Sequence, residues 1–245
     1  MKQNKYDEVK FFDKYSQMDR STGGLESAGE WHILKTMLPS FEGRRVLDIG
    51  CGFGWHCRYA AEKGAKTVLG IDISEKMLER AQDLTQQSNI KYECVAMEDV
   101  DFKSDSFDVV LSSLAIHYVK DFNEICRKIY DSLAPGGDFI FSCEHPIFTA
   151  SGEQDWYYGG NGELLHWPVD EYQSEGIRQT SFLGEDVIKY HRTVETYLNT
   201  LIRNGFMITR ISEPIPPQEM IDQNPYFKNE LRRPMFLMIA AKKLG

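Results

Sequence analysis

Features that would direct a chain to a membrane or to nucleic acid are sparse in this sequence. The N-terminus, MKQNKYDEVKFF, lacks the apolar stretch of a signal peptide, and the longest apolar run, near 235–241, is too short to cross a bilayer. The 28 basic residues form no block and are outnumbered by 37 acidic residues, which gives a net charge of −9. Because nucleic-acid affinity depends on clustered Lys and Arg, we expect neither a nucleic-acid nor a membrane partner.

Cysteine is also scarce, and its spacing carries no metal signature. None of the five cysteines forms a C-x-x-C pair, and none has a histidine at the spacing of a zinc site. Four of them lie in apolar patterns typical of strands or helices. We therefore expect buried thiols in a reducing compartment, a cytoplasmic location and no metal site.

Glycines and acidic residues do occur in an arrangement that is typical of a nucleotide site. The segment VLDIGCGFG, residues 46–54, is a short apolar strand with a glycine-rich turn, and GIDIS, residues 70–74, is a second apolar strand with an acid at its end. Such a turn lets the backbone approach a ligand, and the second acid binds ribose hydroxyls. Trp55 stands where a dinucleotide fingerprint has its third glycine, so the pattern favours a cationic, phosphate-free nucleoside over a pyrophosphate.

Two more motifs follow in order, FDVVLSSLAIHYV at 107–119 and LAPGGDFIFS at 133–142. The ordered set of four resembles the class I S-adenosylmethionine-dependent methyltransferases, in the small-molecule group that includes the quinone-biosynthesis methyltransferases. The resemblance covers roughly 44–143. It implies an α/β, Rossmann-like fold: a seven-stranded, mostly parallel sheet with an antiparallel last strand, an N-terminal helical lid and an insertion after strand five.

Hydrophobic periodicity predicts the elements along the chain. Helices are expected over 25–38 and 193–204. The predicted strands are 45–49, 67–71, 91–96, 107–112, 138–143, 206–212 and 234–243. We expect one domain in four parts, which are an N-terminal lid and helix (1–43), a cofactor-binding core (44–146), a substrate-covering insertion rich in glycine and aromatic residues (147–192), and a C-terminal helix and strand pair (193–245).

The resemblance also implies which residues hold the cofactor. They are Asp48, Gly50, Cys51, Gly52, Gly54, Asp72, Ile73, Met97, Glu98, Ser112, Leu114, Tyr15 and Arg20. The loop and Asp48 would hold the methionine end, Asp72 would accept both ribose hydroxyls, and Tyr15 and Arg20 would reach the carboxylate. Ala96 stands where many relatives have an Asp that binds the adenine amine, so we expect Met97, with Glu98 or Asp99, to replace it. A solvated helix start is the alternative for these two acids.

Four residues are candidates for chemistry at the acceptor: Glu144, His145, His117 and His191. Glu144 and His145 follow strand five, where ligands bind in open α/β sheets, and their side chains suit acid–base catalysis. In the resembled family, His117 lies at the edge of the transfer site, and His191 would close the pocket from the far side. Each has a structural alternative, namely a solvated turn at 144–146, a buried structural histidine at 117, and a helix entry capped by Thr193.

Taken together, these patterns predict a methyltransferase that uses S-adenosyl-L-methionine and releases S-adenosyl-L-homocysteine. It would act on a small, partly apolar acceptor by direct in-line displacement, without a metal. The aromatic insertion, including Trp156 and Tyr157, would cover the site and exclude water. Two alternatives stay open, a protein that binds the cofactor without transfer and, less favoured, a nicotinamide-dependent Rossmann oxidoreductase. Both a monomer and a homodimer are compatible with the sequence.

Overall fold

A central β-sheet organises the computed structural model, which describes residues 3–245. In chain order the strands are β1 (Arg45–Ile49), β2 (Thr67–Asp72), β3 (Ile90–Cys94), β4 (Phe107–Ser113), β5 (Leu133–Glu144), β6 (Tyr157–Tyr158), β7 (Leu164–His166), β8 (Gly176–Phe182), β9 (Glu185–His191), β10 (Phe206–Ser212) and β11 (Phe236–Lys243). Seven of them form the central sheet, and β6–β7 and β8–β9 form two separate ribbons.

The strand order of the central sheet is β10-β11-β5-β4-β1-β2-β3. The neighbours from β5 to β3 pair in parallel, whereas β11 is antiparallel to both β5 and β10. Parallel neighbours require crossover connections, which explains why helices lie in most of the connections between the first five strands. The predicted Rossmann-like α/β fold, with its seven-stranded sheet and antiparallel last strand, is confirmed.

Helices occupy most of the crossovers. In chain order they are α1 (Val9–Ser16), α2 (Asp19–Thr22), α3 (Trp31–Met37), α4 (Trp55–Glu62), α5 (Glu75–Asp83), α6 (Phe122–Ser132), α7 (Pro146–Thr149), α8 (Val194–Arg203) and α9 (Gln218–Gln223). The prediction of one helix over 25–38 is wrong in its first half. Gly24–Ser27 forms a 3-10 turn, and α3 begins only at Trp31. Three glycines within 23–29 explain this, since glycine weakens a helix.

Strand β5 begins five residues earlier than 138, at Leu133. Leu133 pairs with Phe107, and the register then jumps to Asp138 opposite Val109. The intervening residues include Gly136 at φ +76. Residues 135–137 therefore form a bulge within one strand, because pairing occurs on both sides of them.

Helices cover both faces of the sheet and leave one edge open. On one face, Ile125 of α6 and Leu201 of α8 belong to an apolar cluster with Phe141. On the other, Leu34 of α3 and Ala60 of α4 belong to a second cluster. The open edge is the one where the parallel strands end, which is where an open α/β sheet binds ligands.

The segment between α7 and α8 carries its own secondary structure and reaches this open edge. Strand β9 packs against α7 and against the short 3-10 turn Ile116–Tyr118 that follows β4. Side chains of β9 alternate, with Val187, Lys189 and His191 buried. The β8–β9 ribbon therefore presents one face to the molecule and one to solvent.

Candidate active site

A cavity of about 1590 Å³ lies at the carboxyl edge of the sheet. Its walls come from the turns after β1, β2, β3, β4 and β5, from the N-terminal segment, from the β8–β9 ribbon and from residues 214–236. Pockets for drug-sized ligands typically have volumes of roughly 300–1,000 Å³. The cavity therefore has room for a nucleoside cofactor and a second molecule.

The glycine loop after β1 lies on the cavity wall at Gly50 and Gly52. Gly50 has φ +70, and a Cβ there would lie 2.4 Å from the Cβ of Ala115. The backbone N–H groups of Gly50 and Cys51 both donate to the carbonyl of Ile71, at 2.8 and 2.9 Å. Only glycine fits this position, because it needs both a left-handed backbone and close contact with the turn after β4.

Asp72, at the end of β2, connects the loop to the next helix. Its Oδ2 accepts a 2.9 Å hydrogen bond from the Gly52 N–H, and its Oδ1 accepts one of 3.0 Å from the Ser74 N–H. Burial raises the pKa of Asp72, although these backbone donors oppose the shift. Ser74 caps α5 by accepting a hydrogen bond from the Met77 N–H. Asp72 therefore faces the cavity in a fixed orientation.

Three of the predicted cofactor residues, Asp48, Gly54 and Ser112, stand behind the cavity wall, and their contact with the cofactor stays a prediction. Gly54, at φ +71, starts α4, and the Ser112 hydroxyl donates to the carbonyl of Ile49. Asp48 is buried, and its Oδ2 accepts from the Cys57 thiol at 3.3 Å. These residues shape the loop from beneath.

The other predicted cofactor residues line the cavity: Gly50, Cys51, Gly52, Asp72, Ile73, Met97, Glu98, Leu114, Tyr15 and Arg20. Leu114 has φ +53, which is rare for a bulky residue, and its N–H donates to the Ser142 carbonyl at 2.9 Å. Strain of this kind concentrates at functional sites. Arg20 forms an ion pair with the buried Glu30.

The N-terminal segment is tied across the cofactor end of the cavity. Asp7 accepts from the Ser74 hydroxyl at 2.6 Å and from the Lys76 N–H at 3.1 Å. The Tyr6 ring meets Tyr15 edge to face, at 5.1 Å between centroids. Asp7 was not predicted from the sequence, because a single acid in the N-terminal segment carries no signal that it caps a helix distant in sequence.

Two of the four acceptor-side candidates, Glu144 and His117, line the cavity. The Nδ1 atom of His117 accepts from the Glu144 backbone N–H at 3.4 Å, so that the neutral ring carries its proton on Nε2. Burial, with a smaller effect of Lys189 and Arg192, lowers the pKa of His117 to about 4. His117 is thus a neutral hydrogen-bond donor at neutral pH.

The Glu144 carboxylate is held by two residues that sequence reasoning missed. Its Oε1 accepts from the Lys189 ammonium at 2.6 Å, and its Oε2 accepts from the Gln154 amide at 2.9 Å. Burial alone raises the pKa of Glu144, but nearby positive charge, including that of Lys189, and these hydrogen bonds outweigh it, and the net pKa lies below its ordinary value. The signal that could have identified Lys189 is its position on the buried face of strand 185–191, where it alternates with Val187 and His191.

The other two candidates, His145 and His191, lie outside the cavity lining and make structural contacts, and the catalytic role expected of them stays a prediction. His145 accepts from the Ile147 N–H through Nδ1, which caps α7, and its Nε2 lies 2.8 Å from Glu213. His191 Nε2 donates to the Tyr172 carbonyl, and Nδ1 accepts from the Thr149 hydroxyl. All ring nitrogens therefore have protein partners.

The aromatic part of the insertion also lies away from the cavity, contrary to prediction. Arg233 stacks between aromatic rings, with its guanidinium 4.2 Å from the Trp167 ring centroid and 5.4 Å from that of Trp156. Tyr157 is exposed. Cation–π contacts of this kind attach the insertion to the segment before β11. The covering of the cavity comes instead from the β8–β9 ribbon, which contributes Phe182 and Tyr190.

Comparison with known proteins now identifies the family. A family model described as "Methyltransferase domain" matches residues 47–141. A solved structure from Listeria monocytogenes, assigned as an S-adenosylmethionine dependent methyltransferase, is 55% identical with a TM-score of 0.86, and the match covers 91% of this chain and 100% of that one. A second, the S-adenosylmethionine dependent methyltransferase from Mesorhizobium loti, is 46% identical with a TM-score of 0.83, over 89% and 100%. This chain belongs to the S-adenosylmethionine-dependent methyltransferases.

Curated relatives with a named acceptor match this methyltransferase only in part. Phosphoethanolamine N-methyltransferase 1 of Arabidopsis thaliana is 36% identical over 71% of this chain, and the match covers 34% of that enzyme. The acceptor in its name is a property of that longer protein. The cofactor S-adenosylmethionine is instead supported by the two similar solved structures.

The residues of the methyltransferase fit this cofactor in two respects. The Asp72 carboxylate offers about four lone-pair positions, of which the Gly52 and Ser74 N–H groups use two. Asp48 Oδ1 is buried and has no partner among residues 3–245, and burial raises the pKa of Asp48 to about 7. An acidic oxygen of this kind beneath the loop suits a cationic ligand, since a nearby positive charge would favour its ionised form.

Among residues 3–245, every helix is too short or too polar to span a bilayer. Within the same residues, no three His, Cys, Asp or Glu side chains lie together as ligands of a metal ion.

Proposed function

We propose that this methyltransferase transfers the methyl group of S-adenosylmethionine to a small-molecule acceptor by direct in-line displacement, without a metal. One observation carries the proposal: the turns after β1 and β2 and the acceptor-side residues Glu144 and His117 line the same cavity. Its volume of about 1590 Å³ accommodates both molecules at once. Their reacting atoms could then meet without solvent between them.

In this proposal the cofactor end is bound by the glycine loop and by Asp72. Asp72 accepts the ribose hydroxyls through its remaining lone pairs, and Ile73, Met97 and Leu114 enclose the adenine, with Glu98 near its amine. Arg20, with Tyr15, receives the cofactor carboxylate. Bound S-adenosylmethionine supplies an electrophilic methyl group on a sulfonium, so the protein's task is alignment rather than activation.

The acceptor end lies between the carboxyl edge and the β8–β9 ribbon. Residues of that ribbon, of α7 and of 214–236 line it, and they include Phe148, Phe182, Phe227 and Phe236. Aromatic walls with a few polar groups are typical of a pocket for a small, partly apolar molecule. Covering by the N-terminal segment and the ribbon excludes water from the transfer step.

Methyl transfer from labelled S-adenosylmethionine to a small-molecule extract tests the proposal. The assay contains a chelator, and the Asp72→Ala variant is the matched control. We expect label in compounds one methylene heavier than their precursors with the wild-type protein, and much less with the variant. Cofactor binding without any labelled product would favour the alternative of a binding protein, and inhibition by the chelator would contradict metal independence.

A further inference from the structure

Three polar side chains form a closed ring of hydrogen bonds on the acceptor-side wall. Lys189 donates to Glu144 Oε1 at 2.6 Å and to Gln154 Oε1 at 2.9 Å, and Gln154 Nε2 donates to Glu144 Oε2 at 2.9 Å. Only one orientation of the Gln154 amide satisfies both neighbours, because the ammonium needs an acceptor and the carboxylate a donor. All three residues line the cavity.

Formation of the ring requires an unfavourable backbone conformation at Gln154 and the burial of two charged groups. Gln154 has φ +48, a left-handed conformation that favours glycine, and the insertion holds it there. The Lys189 side chain is 2% exposed and that of Glu144 is 15% exposed. Buried charges need close partners, and here each charge is the partner of the other. The ring is therefore rigid, polar and neutral overall.

Neutrality determines which acceptor group this wall can favour. An ammonium group on the acceptor would be attracted by Glu144 but repelled by Lys189. A carboxylate would be attracted by Lys189 but repelled by Glu144. Neither charged group would find an unpaired counter-ion in the ring. A neutral group avoids both penalties.

The ring has both an unused hydrogen-bond donor and unused hydrogen-bond acceptors. An ammonium has three N–H donors, and Lys189 gives two of them to the ring within residues 3–245. The Glu144 oxygens keep lone pairs beyond those the ring uses, and His117, which lines the same cavity, carries an N–H donor on Nε2. A hydroxyl both donates and accepts, so it matches this set where a tertiary amine or an ether would not.

We propose that the ring of Glu144, Lys189 and Gln154 selects a neutral hydroxyl as the methyl acceptor, so that the enzyme is an O-methyltransferase. This inference rests on the proposed small-molecule transfer. The hydroxyl oxygen forms the new C–O bond with its lone pair while the C–S bond breaks and its electron pair stays on sulfur. The proton that leaves the methylated oxygen passes to Glu144 and from there to water.

Binding of three isosteric probes to the protein–S-adenosylhomocysteine complex tests this inference without knowledge of the natural acceptor. The probes are benzyl alcohol, benzylammonium and benzoate, and calorimetric titration measures the affinity of each. We expect the wild-type complex to bind the alcohol most tightly. Lys189→Met should raise affinity for benzylammonium at least about tenfold, and Glu144→Gln should raise affinity for benzoate by a similar factor, since each leaves one buried charge unpaired.

Two controls separate specificity from folding. The double variant Glu144→Gln/Lys189→Met removes both charges, and it should again prefer the alcohol. Lys243→Met removes a mostly buried lysine at the far edge of the sheet, where it contacts Asp105 and the Leu133 carbonyl, and it should keep the wild-type ranking. S-adenosylhomocysteine binding is measured first in each protein.

The outcomes distinguish this inference from the proposed function. A wild-type preference for either charged probe, or a ranking unchanged by the single substitutions, would overturn the hydroxyl inference while leaving methyl transfer intact. Failure of all probes to bind any variant would also overturn it, because an unpaired buried charge beside the cavity must attract its counter-ion. Failure of the wild-type protein to bind S-adenosylhomocysteine would instead contradict the proposed function.

Discussion

The backbone N–H of Gly52 donates a 2.9 Å hydrogen bond to Oδ2 of Asp72. This contact joins the glycine loop after β1 to the acid after β2, two motifs that lie twenty residues apart in sequence. Because Asp72 also receives the Ser74 N–H, one carboxylate orders the loop and the start of α5. The acid that would bind the ribose thus also arranges the wall around it.

Substitution of Asp72 should weaken cofactor binding more than it weakens the fold. Asp72→Ala removes a charged acceptor whose hydrogen bonds are worth roughly 1.5–3 kcal/mol each, so S-adenosylhomocysteine affinity should fall at least about tenfold. Calorimetry measures the affinity, and Asp83→Ala, on the exposed side of α5, is the control. Equal affinity in Asp72→Ala and wild type would show that Asp72 only organises the backbone.

Two glycines with similar φ angles provide a matched test of the glycine loop. Gly50 and Gly136 have φ +70 and +76, but a Cβ at Gly136 would meet nothing within 4 Å. Alanine at either site should cost about 1–2 kcal/mol for the left-handed backbone. Gly50→Ala should cost about 1–3 kcal/mol more, because its Cβ overlaps Ala115, and it should also weaken S-adenosylhomocysteine binding. Chemical denaturation compares the two, and equal losses would refute the close approach.

His145 and Glu144 are adjacent in sequence, but their substitution should affect different properties of the protein. His145→Ala removes the cap of α7 and the contact with Glu213, and we expect a loss of stability of about 1–2 kcal/mol with the transfer rate retained. Glu144→Gln should instead lower the rate while S-adenosylhomocysteine binding stays near wild type. Parallel rate and melting measurements check both. A large rate loss in folded His145→Ala would instead support its predicted catalytic role.

The buried His117 should make the protein less stable in mild acid. Its pKa is about 4 in the fold against an ordinary 6.5, so the unfolded chain takes up the proton first, and stability should fall as the pH drops from about 6.5 towards 4. His56, whose pKa burial also lowers to about 4, acts in the same direction. His117→Asn keeps an acceptor for the Glu144 N–H and should flatten this slope in part. His32→Asn, on the surface, is the control; an unchanged slope in His117→Asn would contradict the assignment.

The sequence was sufficient to predict the seven-stranded sheet, and most residues predicted for the cofactor line one cavity. Those motifs are local: an apolar strand, its glycine turn and its terminal acid are contiguous, and the strand rule then brings the turns to one edge. The structure accordingly places Gly50, Gly52, Asp72 and Met97 together on the cavity wall.

The acceptor half was only partly predictable, because its contacts are long-range. Lys189 meets Glu144 from a ribbon 45 residues away, and the alternation of β9 identifies its buried face but not its partner. His145 and His191 stand near strand ends as expected, yet local capping and hydrogen bonds to Thr149 turn their rings away from the cavity. The aromatic residues of the insertion stack on Arg233 instead of covering the site, a contact without a sequence signal.

Ligand-dependent stability tests the central claim, that this cavity is built for S-adenosylmethionine, most directly. S-adenosylhomocysteine at about a hundred times its dissociation constant should stabilise the wild-type fold by roughly 2.7 kcal/mol, because the ligand binds only the folded protein. NAD and NADP should give no stabilisation, since Trp55 occupies the place of the third glycine of a dinucleotide loop. Stabilisation by NAD with no response to S-adenosylhomocysteine would contradict the account.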